Sequence, residues 1–109
     1  FLIENGLTKA GYVVETCAAA SGIVEFKHPV PDLFILEKDL PTIDGIAVSK
    51  FLRLQTATKA TPIIIISGRQ IKKKKLAGIN EFLRKPFRLD RLLQLIAKHV
   101  QVRNLEHAI

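Results

Sequence analysis

A chain of 109 residues, 48% hydrophobic and 25% charged, has room for one packed domain and not two, and is too apolar for a disordered tail. A lone cysteine, Cys17, rules out an internal disulfide and a self-sufficient structural zinc site, and points to a reducing, cytoplasmic setting. Seventeen Lys and Arg against ten Asp and Glu leave a formal charge of +7, and the longest apolar run is far short of the about 20 residues a membrane span needs.

Taken in order, the chain opens on Phe1 with no basic-then-apolar leader, which we read as a piece of a longer protein rather than a secretory precursor. Phe1-Leu2-Ile3 and Tyr12-Val13-Val14 are the first two predicted strands. Leu33-Phe34-Ile35-Leu36, the isoleucines at 63–66 and Phe82-Leu83 are the next three. Continuous apolar runs, rather than alternating ones, are the pattern of strands buried on both faces, as in parallel sheets. Helices are predicted at residues 19–27, at 44–57 with Asp44 as N-cap and Phe51, Leu52 and Leu54 as contacts, and at 71–77, ended by Gly78. Leu89, Leu92, Leu93, Ile96, Ala97 and Val100 form one helical stripe that closes the domain at residue 100. Residues 101–109 extend that helix or begin a linker. Strands alternating with helices give an α/β domain. One connection breaks the pattern: residues 4–11 are too few for a parallel crossover, so we expect residues to be absent near Asn5-Gly6, with a similar break near Gln70-Ile71.

The basic excess is densest at Lys72-Lys73-Lys74-Lys75. Four consecutive residues on a helix point all around its axis, no aromatic is interleaved for stacking, and no helix-turn-helix or zinc-finger spacing occurs. A solvated face that favours an acidic protein partner is therefore expected over direct nucleic-acid binding. His28, His99 and His107 stand without partners at metal or triad spacing, and Cys17 reads as a small buried hydrophobe. No glycine-rich phosphate loop is present.

In an open parallel sheet, chemistry gathers beyond the carboxyl ends of the strands. The residues that follow the predicted strands are Glu4-Asn5, Glu37, Ser67 and Arg84-Lys85-Pro86. Oxygen ligands from Glu4, Asn5 and Glu37 suit a hard cation such as Mg²⁺, and a hydroxyl and an ammonium opposite them suit a phosphoryl group. With these residues the chain resembles the receiver domains of bacterial two-component response regulators. The resemblance rests on Pro31-Asp32-Leu33-Phe34-Ile35-Leu36-Glu37-Lys38-Asp39-Leu40-Pro41-Thr42-Ile43-Asp44-Gly45, on Pro62 through Ser67-Gly68, and on Gly78-Ile79-Asn80-Glu81-Phe82-Leu83-Arg84-Lys85-Pro86-Phe87. It implies a flavodoxin-like, doubly wound, five-stranded parallel sheet of order 2-1-3-4-5 with helices on both faces. It also implies a cis Lys85-Pro86 bond, a phosphoryl contact from Lys85, and a switch formed by Ser67 and Phe82.

The chain departs from the family at the centre of the site. The phosphoacceptor aspartate, four residues before the loop proline, is Glu37 here, and Asn5 stands where a second metal-binding carboxylate is usual. The longer side chain displaces the nucleophile by more than about 1 Å, which can cost about 100-fold, and the lost charge weakens Mg²⁺. The expectation is a pseudo-receiver: a signalling module, not an enzyme beyond self-phosphorylation, with impaired phosphorylation. Glu37 reaching toward Lys85 would partly mimic the phosphorylated state. Asp39 is a lesser substitute acceptor. Partners would be a histidine kinase or another signalling protein, an effector domain in the same full-length chain, or a second copy. They would be met through the face of helix 4, strand 5 and helix 5. The alternatives are a competent Mg²⁺-dependent acceptor on Glu37 and a basic nucleic-acid binder.

Overall fold

Four consecutive isoleucines leave a strand no polar face to turn toward water, so they belong inside a sheet covered on both sides. A computed structural model describes residues 2–16, 30–39 and 43–100. Its elements in chain order are helix α1 (Leu2–Lys9), strand β1 (Phe34–Glu37), helix α2 (Gly45–Leu54), strand β2 (Ile63–Ser67), a 3-10 turn (Lys73–Leu76), strand β3 (Glu81–Arg84) and helix α3 (Leu89–His99). The isoleucine strand β2 is buried along its whole length. It pairs in parallel with β1 on one side and β3 on the other, giving the order β1-β2-β3. The register sets Glu37 beside Ile66 and Arg84 beside Ser67. The chain divides into two compact units, Cys17–Pro86, which holds the sheet and α2, and Phe1–Thr16 with Phe87–Ile109, which holds α1 and α3.

Within the sheet unit, Phe34, Leu36, Ile63 and Ile65 alternate onto one face and pack with Ile46, Val48 and Leu52 of α2 and with Ile71. Asp44 caps α2 as expected, its carboxylate accepting the Ile46 N–H at 2.7 Å. The buried ridge of α2 runs through Ile46, Val48, Ser49 and Leu52. Phe51 packs against the core, but Leu54, expected to do so, lies off the ridge and is 83% exposed.

Arg53 ties the sheet unit together below α2. Its guanidinium donates to Thr61 O (2.7 Å), Thr58 O (3.3 Å), Gly78 O (2.9 Å) and Asn80 Oδ1 (2.9 Å). The same Asn80 oxygen accepts the Ile63 N–H at 2.9 Å, so one side chain links the end of α2 to the starts of β2 and β3. Burial lowers the Arg53 pKa from its usual value, the cost of withdrawing the fork from water. The connection from β2 to β3, residues 68–80, is close to the minimum of about a dozen for a parallel crossover. The helix predicted at 71–77 is correspondingly reduced to the 3-10 turn, and Gly78 leaves it at a φ of 81°.

The N-terminal reading requires correction. The strand expected at Phe1-Leu2-Ile3 is not formed: Leu2 and Ile3 begin α1, and Phe1 is outside the described residues. Ile3 and Leu7 lie one helical turn apart on the less exposed side, with Leu7 buried. Gly11, at a φ of 99°, ends the helix. Its N–H donates to Thr8 O and the Tyr12 N–H donates to Leu7 O, the paired bonds of a left-handed glycine cap. The eight residues that looked like an impossible crossover fall almost entirely within the helix, so no parallel crossover is needed there. Tyr12-Val13-Val14 belongs to no strand, and Val13 is 96% exposed. Among the described residues the sheet has three strands. The final helix stands where its stripe placed it, but Leu92, Leu95 and Ile96 are the buried residues, while Leu89 and Ala97 are exposed. Asp90 in its first turn and Lys98 and His99 in its last suit the helix dipole. Cys17, His28, His107, the helix predicted at 19–27 and the segment 101–109 lie outside the described residues.

Replacing Arg53 by Ala removes four donors and leaves Asn80 supported only by strand backbone. The expected loss is about 2 kcal/mol, read from the urea midpoint at unchanged slope. Arg53→Lys recovers only a minor part, because an ammonium cannot span the fork.

Candidate functional site

The carboxyl end of β2 carries the polar residues that the strand sequence singled out. Neighbouring strands are about 4.8 Å apart, so β1 and β3, flanking β2, are separated by about 10 Å. Two long side chains are needed to close that span. Glu37, the last residue of β1, and Lys85, just past β3, do so: Nζ donates to Oε1 at 3.0 Å across the end of β2. Both side chains are about half exposed, at 55% for Glu37 and 44% for Lys85. Backbone bonds fix the two approaches, Lys38 N–H to Ile66 O and Lys85 N–H to Ser67 O, each 2.8 Å. The Lys85-Pro86 peptide is cis, as expected.

Ser67 lies at the end of the strand between them and is buried. Its hydroxyl oxygen accepts the Arg69 N–H at 3.0 Å. Phe82 is partly buried against the core beside Ile65.

Gly45 controls where Glu37 sits. Its N–H donates to Lys38 O at 2.7 Å, and the start of α2 lies so close to the end of β1 that a Cβ on residue 45 would collide with the Glu37 carbonyl. Only glycine permits that approach.

Two further carboxylates stand in the loop that follows β1. Asp44 pairs with Lys38 at 2.7 Å, and Asp39 pairs with Arg69 at 2.9 Å and with Lys38 at 3.7 Å. Residues 39 and 44 also form an isolated antiparallel bridge. The Asp44 hydrogen bond, opposed by partial desolvation, raises the Lys38 pKa above its usual value. At Asp44, partial burial pushes the pKa up but is outweighed by the Lys38 hydrogen bond, the Ile46 N–H and the charges of Lys38 and Lys75, so the net shift is downward. Lys38 and Arg69 were not recognised from sequence. The only signal for either was a cation beside a strand end, which says nothing about which carboxylate it meets.

Glu4 and Asn5 are exposed residues inside α1, not residues leaving a strand, because the segment that contains them is helical. Glu37, Asp39 and Asp44 each face a cation of this chain, and among the described residues no three acidic, histidine or cysteine side chains are grouped to hold a metal. Asp39, the lesser candidate acceptor, is held by Arg69. His99 lies in the last turn of α3.

A parallel α/β sheet whose strand ends carry a carboxylate, a hydroxyl and a lysine followed by a cis proline defines a receiver-type signalling module. The chain belongs to the response regulator receiver domain family, whose model matches residues 1–97. It is 34% identical over 97 residues to the transcriptional regulatory protein KdpE of Mycobacterium tuberculosis, covering 84% of this chain and 41% of that protein. It is 30% identical over 101 residues to the chemotaxis protein CheY of Bacillus subtilis, covering 89% and 84% respectively. The crystal structure of the receiver domain of the sensor histidine kinase PA1611 from Pseudomonas aeruginosa, which has a magnesium ion in its active-site cleft, is similar with a TM-score of 0.79. That match has 25% identity and covers 90% of this chain and 84% of that one. The chain spans only about two fifths of the KdpE relative. Among the described residues no helix is long and apolar enough to cross a membrane.

The depressed Asp44 pKa has a defined pH signature. A carboxylate held below its unfolded value of 3.8 contributes stability above that pH and loses it as the pH falls through the folded value. Asp44→Asn keeps a capping oxygen but loses the Lys38 pair. Its deficit against the native chain is expected at neutral pH and vanishes on acidification through that range. Asp44→Ala also loses the cap, for a total of about 1 kcal/mol or somewhat more at neutral pH. Denaturant titrations at pH 7 and under acid conditions check both.

Proposed function

We propose that this receiver domain has an impaired phosphorylation site and passes its signal through protein contacts. The observation that carries the reading is the Glu37–Lys85 ion pair at the acceptor position. A free aspartate there attacks phosphorus in line while lysine and Mg²⁺ absorb charge, so the chemistry is mostly positioning. Here the nucleophile carries an extra methylene, and one of its oxygens is occupied by the lysine that should meet the incoming phosphoryl group. The commitment of Asp39 and Asp44 to Arg69 and Lys38 supports a weakened response to Mg²⁺.

The same pair supports a partial mimic of the phosphorylated state. A half-exposed pair contributes about 1 kcal/mol or less, whereas inverting a 1:99 equilibrium takes about 5.5, so the pair biases the domain without locking it.

In this reading β1, β2 and β3 are the third, fourth and fifth strands of a 2-1-3-4-5 sheet. The domain acts in the cytoplasm and is not an enzyme on any separate substrate. Its partners are a histidine kinase or another signalling protein, an effector domain in the full-length protein, or a second copy. They meet the face of the fourth crossover segment, the fifth strand and the last helix, with Ser67 and Phe82 as the switch pair.

Incubation with acetyl phosphate and Mg²⁺, followed by intact-mass measurement, is the test. No phosphoryl adduct is expected on the native chain. A stoichiometric adduct that Glu37→Gln abolishes would establish the competent-acceptor alternative instead.

A further inference from the structure

We propose that the lysine turn between β2 and β3 is a preorganised docking surface for an acidic segment of a partner protein. Lys72, Lys73, Lys74 and Lys75 are all exposed, and among the described residues none of them forms an ion pair. Four neighbouring cations repel one another, and only Lys75 acts on a carboxylate of the described residues, Asp44, without pairing with it, so an external anion would relieve most of the repulsion.

The backbone beneath them is tightly held. Ile71 on one side is buried in the core, and Leu76 and Ile79 on the other pack against it. The Lys75 N–H donates to Lys72 O at 2.9 Å and the Ile79 N–H to Leu76 O at 3.0 Å, while Arg53 grips Gly78 O at 2.9 Å. The charges are therefore displayed on fixed backbone, and only side-chain freedom is lost on binding.

The shape selects the partner. A 3-10 turn advances about 120° per residue, so Lys73, Lys74 and Lys75 point in three different directions, and Lys72 precedes them on extended backbone. An extended acidic peptide can bend around such a knob and meet several of the charges at once. A rigid duplex meets one side only, and the turn offers neither a groove-entering helix nor an exposed aromatic to a nucleic acid.

This inference rests on the reading of the chain as a module that works through protein contacts, and deepens it by naming the partner's chemistry. The probe is a fluorescein-labelled peptide of consecutive glutamates, followed by anisotropy on the whole chain. Substituting all four lysines by Gln is expected to raise the Kd about 10-fold or more, and added salt to weaken native binding. Substituting all four by Arg is expected to keep the Kd within about twofold, and so is replacing the exposed Lys50 and Lys59 by Gln. All four side chains of the turn are exposed, so unchanged far-UV dichroism and melting are expected for each variant.

Native peptide binding that survives the Gln variant, or is lost in the Arg variant, would overturn the proposal. So would a duplex DNA of equal charge bound more tightly than the peptide through the same lysines. Phosphoryl uptake on Glu37 alongside lysine-dependent peptide binding would refute the impaired site and support the docking surface, so the two readings fail separately.

Discussion

The structure of the site follows from the burial of β2 between two parallel neighbours. A strand of isoleucines must be covered on both faces and hydrogen-bonded on both edges, and β1 and β3 supply those edges. That arrangement separates the ends of β1 and β3 by two strand spacings, and the buried Ser67 at the end of β2 does not reach across the gap as a long side chain would. Glu37 and Lys85 are long enough to meet there. Glu37 is thus the side chain whose length suits the span to the lysine.

The local charge balance reinforces this. Glu37, Asp39 and Asp44 are matched by Lys85, Arg69 and Lys38, so the loops beyond the strands neutralise themselves. Each exposed pair is weak taken singly, and screening weakens it further. Their combined effect is one of geometry more than of stability. A carboxylate already facing an internal cation must give up that contact before it can serve a metal or a phosphoryl group. Gly45 adds a steric constraint by allowing α2 to begin against the Glu37 carbonyl, which fixes the backbone from which the Glu37 side chain departs.

Much of this was legible in the sequence where the signal was local. The isoleucine run, the Asp44 cap, the final helix and the cis Lys85-Pro86 bond depend on neighbouring residues or on a motif, and each is where the sequence placed it. Glu37 and Lys85 were matched by their positions at strand ends. The first helix was misread because three apolar residues at the chain start look alike in a strand and in a helical turn. Gly11 was the available clue, since glycine followed by an apolar residue is the signature of a helix C-terminus. Arg53 and Arg69 were illegible for a different reason. Their partners lie 25 and 30 residues away in sequence, and nothing local tells which carbonyl or carboxylate a long cationic side chain will meet. Glu4 and Asn5 lie inside α1 rather than at a strand end, through the same misreading of the first helix.

The short crossover after β2 connects these themes. Residues 68–80 must return the chain from the end of one strand to the start of its parallel neighbour, and a connection of that length has little room for a full helix. The chain bends at a 3-10 turn anchored by Ile71, Leu76 and Ile79, which leaves the intervening polar residues pointing outward. That these are lysines also has a consequence at the loop after β1, because the charge of Lys75 helps hold the Asp44 carboxyl below its usual value. An anion seated on the turn would offset part of that field and weaken the support that Asp44 receives, though not its hydrogen bonds to Lys38 and Ile46. The coupling is electrostatic, screened and small. Its direction is set by the sign of the charges alone.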